Sequence, residues 1–193
     1  MEELTDGVDL LERAVNYVLG SLTGISDEEL CRPTPCAGWD LLMLIQHLSD
    51  SVEALQQGID SGHIARASAP PGPGDTTNDP AAALRQRTCS LLGAWTAAGR
   101  GDRPVSIGDM PLMASSLAYI GAIELTVHGW DIARACGRAK TIPATLATSV
   151  LEIAKLTVIE GERYPLFAEP ITVSPLADPG DRLIAFLGRD PTA

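Results

Sequence analysis

Aromatic side chains make up only 4% of this 193-residue chain, and phenylalanine occurs twice. A core so poor in rings must be built from Leu, Ala, Ile and Val, which suits helix packing better than a β-sandwich. Lysine is nearly missing as well: Lys140 and Lys155 are the only lysines among 14 basic residues, set against 25 acidic ones. With a formal charge of −11 and no basic cluster, the surface repels phosphate backbones, so neither nucleic acid nor an anionic membrane is an expected partner. No apolar run approaches membrane-spanning length, and Met1-Glu2-Glu3-Leu4 is acidic where a signal peptide would be basic. The expected location is the cytoplasm. There the four cysteines, Cys31, Cys36, Cys89 and Cys136, should be reduced. Their spacing contains no C-x-x-C, which argues against a zinc ribbon or a thioredoxin-like site. Cys31 and Cys36 bracket Arg-Pro-Thr-Pro, and packed thiols are expected there rather than a bridge. Ser115 and Ser116 have no evident His and Asp partners, so a serine hydrolase is not supported.

What the chain does have is enough apolar residue, 45%, to build a core, in a length that suits a single domain over residues 1–193. Leu4, Val8, Leu11, Ala14, Val15, Val18, Leu19 and Leu22 fall at helical spacing and predict a first helix over 3–23. Ser26-Asp27-Glu28-Glu29 reads as a capped single turn, and Pro33-Thr34-Pro35-Cys36-Ala37-Gly38 cannot continue a helix. A second helix is expected from Trp39 or Asp40 to about Gln57. Residues 58–80, rich in Pro and Gly, form a loop longer than compact domains usually carry, either a flap over a site or a disordered segment. Asp79-Pro80 then reads as an N-cap and first turn, opening a third helix to Ala98. Residues 99–110 look irregular. Pro111 is expected to open a fourth helix ending near Cys136, and Pro143 a fifth reaching Glu162. The tail is expected to pack back across the bundle as a short strand and a helical turn. The tripeptide Gly-Trp-Asp occurs at 38–40 and again at 129–131.

Glu124 and His128 lie four apart on the fourth helix, on one face and about a turn from each other. From there a carboxylate oxygen and an imidazole nitrogen can converge on one ion, at roughly 2.0–2.2 Å for a zinc-like metal. Helix bundles build such sites by pointing ligands inward from facing helices, and His47, mid-helix two, is the natural third ligand. Two histidines and one carboxylate leave positions open for water or substrate, the catalytic pattern. The bland alternative is a surface Glu–His pair and a hydrogen-bonded core histidine. Against it, the chain has only three histidines, and two lie within apolar helices, where an unpaired imidazole is costly. The third, His63, falls in the long loop and is expected to be solvated. Asp131 reads equally as a partner orienting His128 or as a solvated acid. Asp50 reads as an exposed helix acid and Asp40 as a helix N-terminal one. Trp39 and Trp130 read as core anchors, Arg134 as half of a surface ion pair, and Cys36 as a small packed thiol.

The run Pro33-Thr34-Pro35-Cys36-Ala37-Gly38-Trp39-Asp40 leading to His47, and the run Glu124-Leu125-Thr126-Val127-His128-Gly129-Trp130-Asp131-Ile132-Ala133-Arg134-Ala135, resemble the DinB-like metal-binding proteins. The resemblance is specifically to the branch containing mycothiol-dependent maleylpyruvate isomerase and its short relatives, whose ending is also similar to Asp181 to Pro191 here. The resemblance implies an all-α fold, a DinB-like four-helix bundle core with an additional helix and a short C-terminal extension. It implies a divalent ion, usually zinc, on residues matching His47, Glu124 and His128. Several relatives activate a low-molecular-weight thiol at the metal, in bacteria that make mycothiol or bacillithiol. A metal-dependent thiol S-transferase is therefore expected, with mycothiol as cosubstrate and a small electrophile as substrate. The alternative is a non-catalytic metal-binding or small-molecule-binding module. The isomerase has a further C-terminal domain for which no room is expected after the fifth helix, so cis–trans isomerisation of maleylpyruvate ranks below both. A homodimer through a helix face is compatible with so apolar a bundle.

Overall fold

The computed structural model describes residues 6–65, 79–99, 103–158, 163 and 167–192. The chain divides into two compact units, Asp6–Lys140 and one built on Thr141–Ala193. The larger unit is a four-helix bundle made of α1 (Gly7–Ser21), α2 (Leu41–Ser61), α3 (Pro80–Ala98) and α4 (Ala114–Ala135). The starts of α1, α2 and α3 each carry a local reason. Asp6, Asp40 and Asp79 accept hydrogen bonds from the amides of Val8, Met43 and Ala82, and Pro80 occupies the first turn of α3, where its missing N–H costs nothing. Ser26 and Glu29 close a capping box around one 3-10 turn at Asp27–Glu29.

Helix α1 packs on α4 and α3, and α2 packs on the same two, so α1 faces α2 across the diagonal. Gly7 lies against Ser115 and Gly129 against Tyr17, so α1 and α4 run parallel. Leu55 meets Gly121 and Leu117 meets Gly58, so α2 runs against α4. Leu19 and Thr23 lie near Ala82 and Arg85, while Asp6 lies near Ala98, which sets α3 antiparallel to α1 and therefore parallel to α2. A connection between two parallel neighbours must return the length of a helix, about 28 Å for 19 residues at ~1.5 Å each. That explains the long segment after Gly62. Residues 66–78 of it lie outside the described residues, and with them the expectation of a flap.

Where the helix limits differ from the sequence reading, the causes are local. Helix α2 continues a turn past Gln57 and ends at Ser61, with Gly62 as its left-handed cap. Pro111 does not open α4. It sits in β3 (Met110–Met113), which pairs antiparallel with β2 (Pro104–Ile107), and α4 begins at Ala114. Gly108 at φ +56 supplies the positive φ at the first loop position of this two-residue hairpin. A third short strand, β1 (His63–Ile64), joins β2 in parallel, giving the order β1-β2-β3. Residues 99–110, expected to be irregular, thus supply the central strand of a small sheet beside an otherwise helical unit. His63 is exposed within β1, and its Nδ1 lies 2.8 Å from Ser106 Oγ.

The smaller unit holds α5 (Ala144–Thr157), which ends at Thr157 rather than Glu162, and α6 (Pro179–Phe186) packed on it. No strand forms among the described residues of the tail; α6 takes its place, capped by Asp178. Arg163 is buried there, donating to the carbonyls of Ala168 and Phe186 with its guanidinium over the Phe186 ring.

Helix α4 is buried on nearly every side from Gly121 to Ala133, and its glycines allow its neighbours to approach. A Cβ at Gly129 would lie 3.1 Å from the Tyr17 ring and 3.3 Å from Val18 Cα. Gly129→Val is therefore expected to destabilise the protein by about 1–3 kcal/mol through overpacking. Gly93, in α3 with open space around it, should respond the other way, Gly93→Ala stabilising by about 0.5–1 kcal/mol. Urea unfolding of the two variants beside wild type checks both signs.

Candidate metal centre

The antiparallel pairing of α2 and α4 brings His47, Glu124 and His128 together. His128 Nε2 lies 3.3 Å and His47 Nε2 3.6 Å from the same oxygen, Glu124 Oε2. The two imidazoles stand edge to face with centroids 5.1 Å apart. All three donor atoms lie within 4.8 Å of one another. Two donors on a zinc-like ion at ~2.0–2.1 Å in tetrahedral geometry stand about 3.3 Å apart, so the spacing fits one ion. A second observation agrees. Glu124 Oε2 is sealed from solvent and makes no hydrogen bond, its contacts with the rings being too long or misaligned, and a buried carboxylate oxygen is costly to leave so. The His47 side chain is 38% exposed and that of Glu124 28%, against 10% for His128. The cluster therefore opens on the His47 side.

Electrostatics couple the three. Burial opposes ionisation of Glu124, yet the facing imidazoles of His128 and His47 outweigh it and hold the carboxyl well below the usual carboxylate range. Burial likewise opposes charge on His128, but Asp131, Cys36 and Glu124 together push its pKa well above that of a free histidine.

Asp131 is fully buried, which settles it as a partner of His128 rather than a solvated acid. Its Oδ2 accepts from His128 Nδ1 at 2.9 Å, so Nδ1 carries a proton and Nε2 is the nitrogen that faces Glu124. The same Oδ2 accepts from the Cys36 thiol at 3.3 Å, and Cys36 Sγ lies 3.9 Å from His128 Nδ1. Sulfur and carboxylate thus approach one ring nitrogen, unlike a nucleophile, base and orienting acid strung across both. Tyr17, held back from ionising by burial and by the nearby Asp131, packs under Gly129.

The loop before α2 brings Cys36 there. Thr34 N bonds to Trp39 O, Trp39 N to Cys36 O, and Thr34 Oγ1 to both those carbonyls. Trp39 is half-buried rather than a core anchor, and its ring stands edge-on to His47 at 4.9 Å between centroids. Trp130 is buried as expected, with Arg134 stacked over its indole at 5.0 Å, a contact the sequence reading did not anticipate. Asp50 is exposed and takes no part; Asp40 is the α2 N-cap. Sequence reasoning missed the contacts of Cys36 and Trp39, although both lie in the Pro33 to Asp40 run that carried the resemblance.

A bundle of four helices with a His–Glu–His cluster across α2 and α4 is a DinB-like arrangement, and no described helix is long and apolar enough to cross a membrane. The chain belongs to the family described as the mycothiol maleylpyruvate isomerase N-terminal domain, which matches residues 11–133, nearly the whole bundle and all of the cluster. Two uncharacterised proteins of Mycobacterium tuberculosis, from strains CDC 1551 and H37Rv, are each 27% identical over 185 residues, covering 92% of this chain and 94% of theirs. No solved structure matches.

None of the four cysteines forms a disulfide, so Cys31 and Cys36 are not bridged. Cys31 and Cys89 are exposed; Cys136 is buried, and burial pushes its pKa up. In a thiol-reagent titration at pH 8, Cys31 and Cys89 should react first, and Cys136 only after unfolding. Mass mapping of the labelled peptides reads the order.

Proposed function

We propose that this chain is a cytoplasmic, metal-dependent thiol S-transferase that joins mycothiol to a small electrophile. The observation that carries the reading is the convergence of two imidazoles on one sealed, unbonded carboxylate oxygen in a family named for a mycothiol enzyme. His47, Glu124 and His128 would hold the ion, zinc being the natural choice for two nitrogens and one oxygen. When bound, such an ion keeps a thiol deprotonated at neutral pH.

The chain's own residues supply the rest. His128 presents Nε2 because Asp131 holds its Nδ1 proton. Three protein ligands leave room for a thiol from outside, and the more exposed His47 and Glu124 mark where it enters. In the transfer the S–H bond is lost and a C–S bond forms at the electrophilic carbon. The electron pair displaced there leaves with a departing anion while the thiol proton goes to solvent, or, in addition across a double bond, it takes up a proton in place of the one the thiol lost.

Elemental analysis of protein purified without a nickel column tests the site. Wild type should carry about one zinc-like ion per chain, and His47→Ala and Glu124→Ala essentially none, with only modest loss of stability. Uptake should weaken as the pH falls, because a metal must displace protons from its ligands. Loaded wild type should then consume mycothiol in the presence of a small electrophile, and the two variants should not. Absence of metal in every sample, with no uptake of added zinc, would sink the reading.

A further inference from the structure

Each of the two copies of Gly-Trp-Asp sends one side chain to a histidine of the cluster. Trp39 of the first stands edge-on to His47. Asp131 of the second takes the Nδ1 proton of His128. Between them Cys36 ties the loop before α2 to Asp131 through its S–H. We infer that Asp131 is a positioning residue for the metal site and that Cys36, from the loop at 33–40, pins the Asp131 carboxylate in place. The inference rests on the metal reading proposed above, and it names what sets the affinity of that site.

The reasoning is geometric. A histidine serves as a ligand through the nitrogen that carries no proton, so whatever fixes the proton on Nδ1 fixes the lone pair on Nε2. Asp131 is fully buried and, when ionised, offers only acceptors, so it enforces that choice. An asparagine of the same shape can turn its amide to donate to Nδ1, which moves the ring proton to Nε2, into the site. Cys36 restrains the same carboxylate oxygen, Oδ2, with its S–H. Its own position is fixed by the Thr34 bonds, Cys36 N donating to Thr34 Oγ1 at 3.2 Å. A thiol here thus acts on the site without touching the ion.

The test is zinc affinity, measured by competition with a chromophoric chelator, on wild type, Asp131→Asn, Cys36→Ala and Cys36→Ser. Nitrogen-15 spectra of the histidine rings, recorded beside it, give the tautomer of His128. Asp131→Asn should weaken zinc binding by about 10- to 100-fold and shift His128 away from the Nδ1–H form. Cys36→Ala should lose less, and Cys36→Ser, which keeps a donor, less again. Normal zinc affinity and an unchanged tautomer in folded Asp131→Asn and Cys36→Ala would overturn the inference, even if their melting temperatures fall. Should Asp131→Asn fail to fold, the Cys36 pair decides alone, equal affinity to wild type being the overturning result. A wild type that binds no zinc overturns the metal reading itself, a result separate from one in which wild type and variants bind alike.

Discussion

Helix α4 is enclosed by its neighbours for most of its length, and yet it carries a carboxylate, an imidazole and a second carboxylate within eight residues. Asp131 and Glu124 Oε2 are sealed from water, so each needs a partner inside the protein. Asp131 finds partners in His128 and Cys36. His128 has Asp131 on one nitrogen and Glu124 on the other. Glu124 Oε2 is left without a hydrogen bond, though two imidazoles face it. A chain of polar groups that is satisfied at one end and open at the other marks the place where something from outside completes it. The rest of the bundle reads as a frame for this chain. Glycines let α1 and α2 press against α4, and Leu44, Leu48, Leu125 and Ile132 seal the interior around it.

Much of this was legible in the sequence because it is local. The starts of α2 and α3 follow from Asp40 and from Asp79-Pro80, each a short-range signal with one physical meaning. The grouping of Glu124 with His128 needs only the helical period, and His47 joins them because the rarity of histidine leaves few candidates. What escaped is what depends on distant partners. A two-residue strand at His63 has no signature of its own and exists because β2, far along the chain, pairs with it. Pro111 has the look of a helix opener, but β3 is an edge strand of the sheet, and an edge tolerates a residue without an N–H. Large rings usually go to the core, which is where sequence puts Trp39, whereas the turn from Thr34 to Trp39 aims it at His47.

Family membership and geometry support each other without overlapping. The matched region ends at Ala133, just past Asp131, and leaves the α5–α6 unit outside. The mycobacterial relatives extend over nearly the whole chain, so that unit lies within the span they share with this protein. Its buried Arg163, bonded to two carbonyls and laid over Phe186, gives it a polar core of its own.

The parallel alignment of α1 with α4 has a further consequence, for the order of events in folding. These helices form the most extensive pairing in the bundle, yet almost the entire unit separates them along the chain. Loop-closure entropy must be met before that contact returns anything, which places it late and makes the bundle a slow folder for a helical protein. The same holds for the cluster, since His47 waits for Glu124 and His128 to be made and docked. On the ribosome, then, α1, α2 and α3 emerge with no α4 to close on, and the grouping of His47 with Glu124 and His128 comes into being only as the last helix of the bundle arrives.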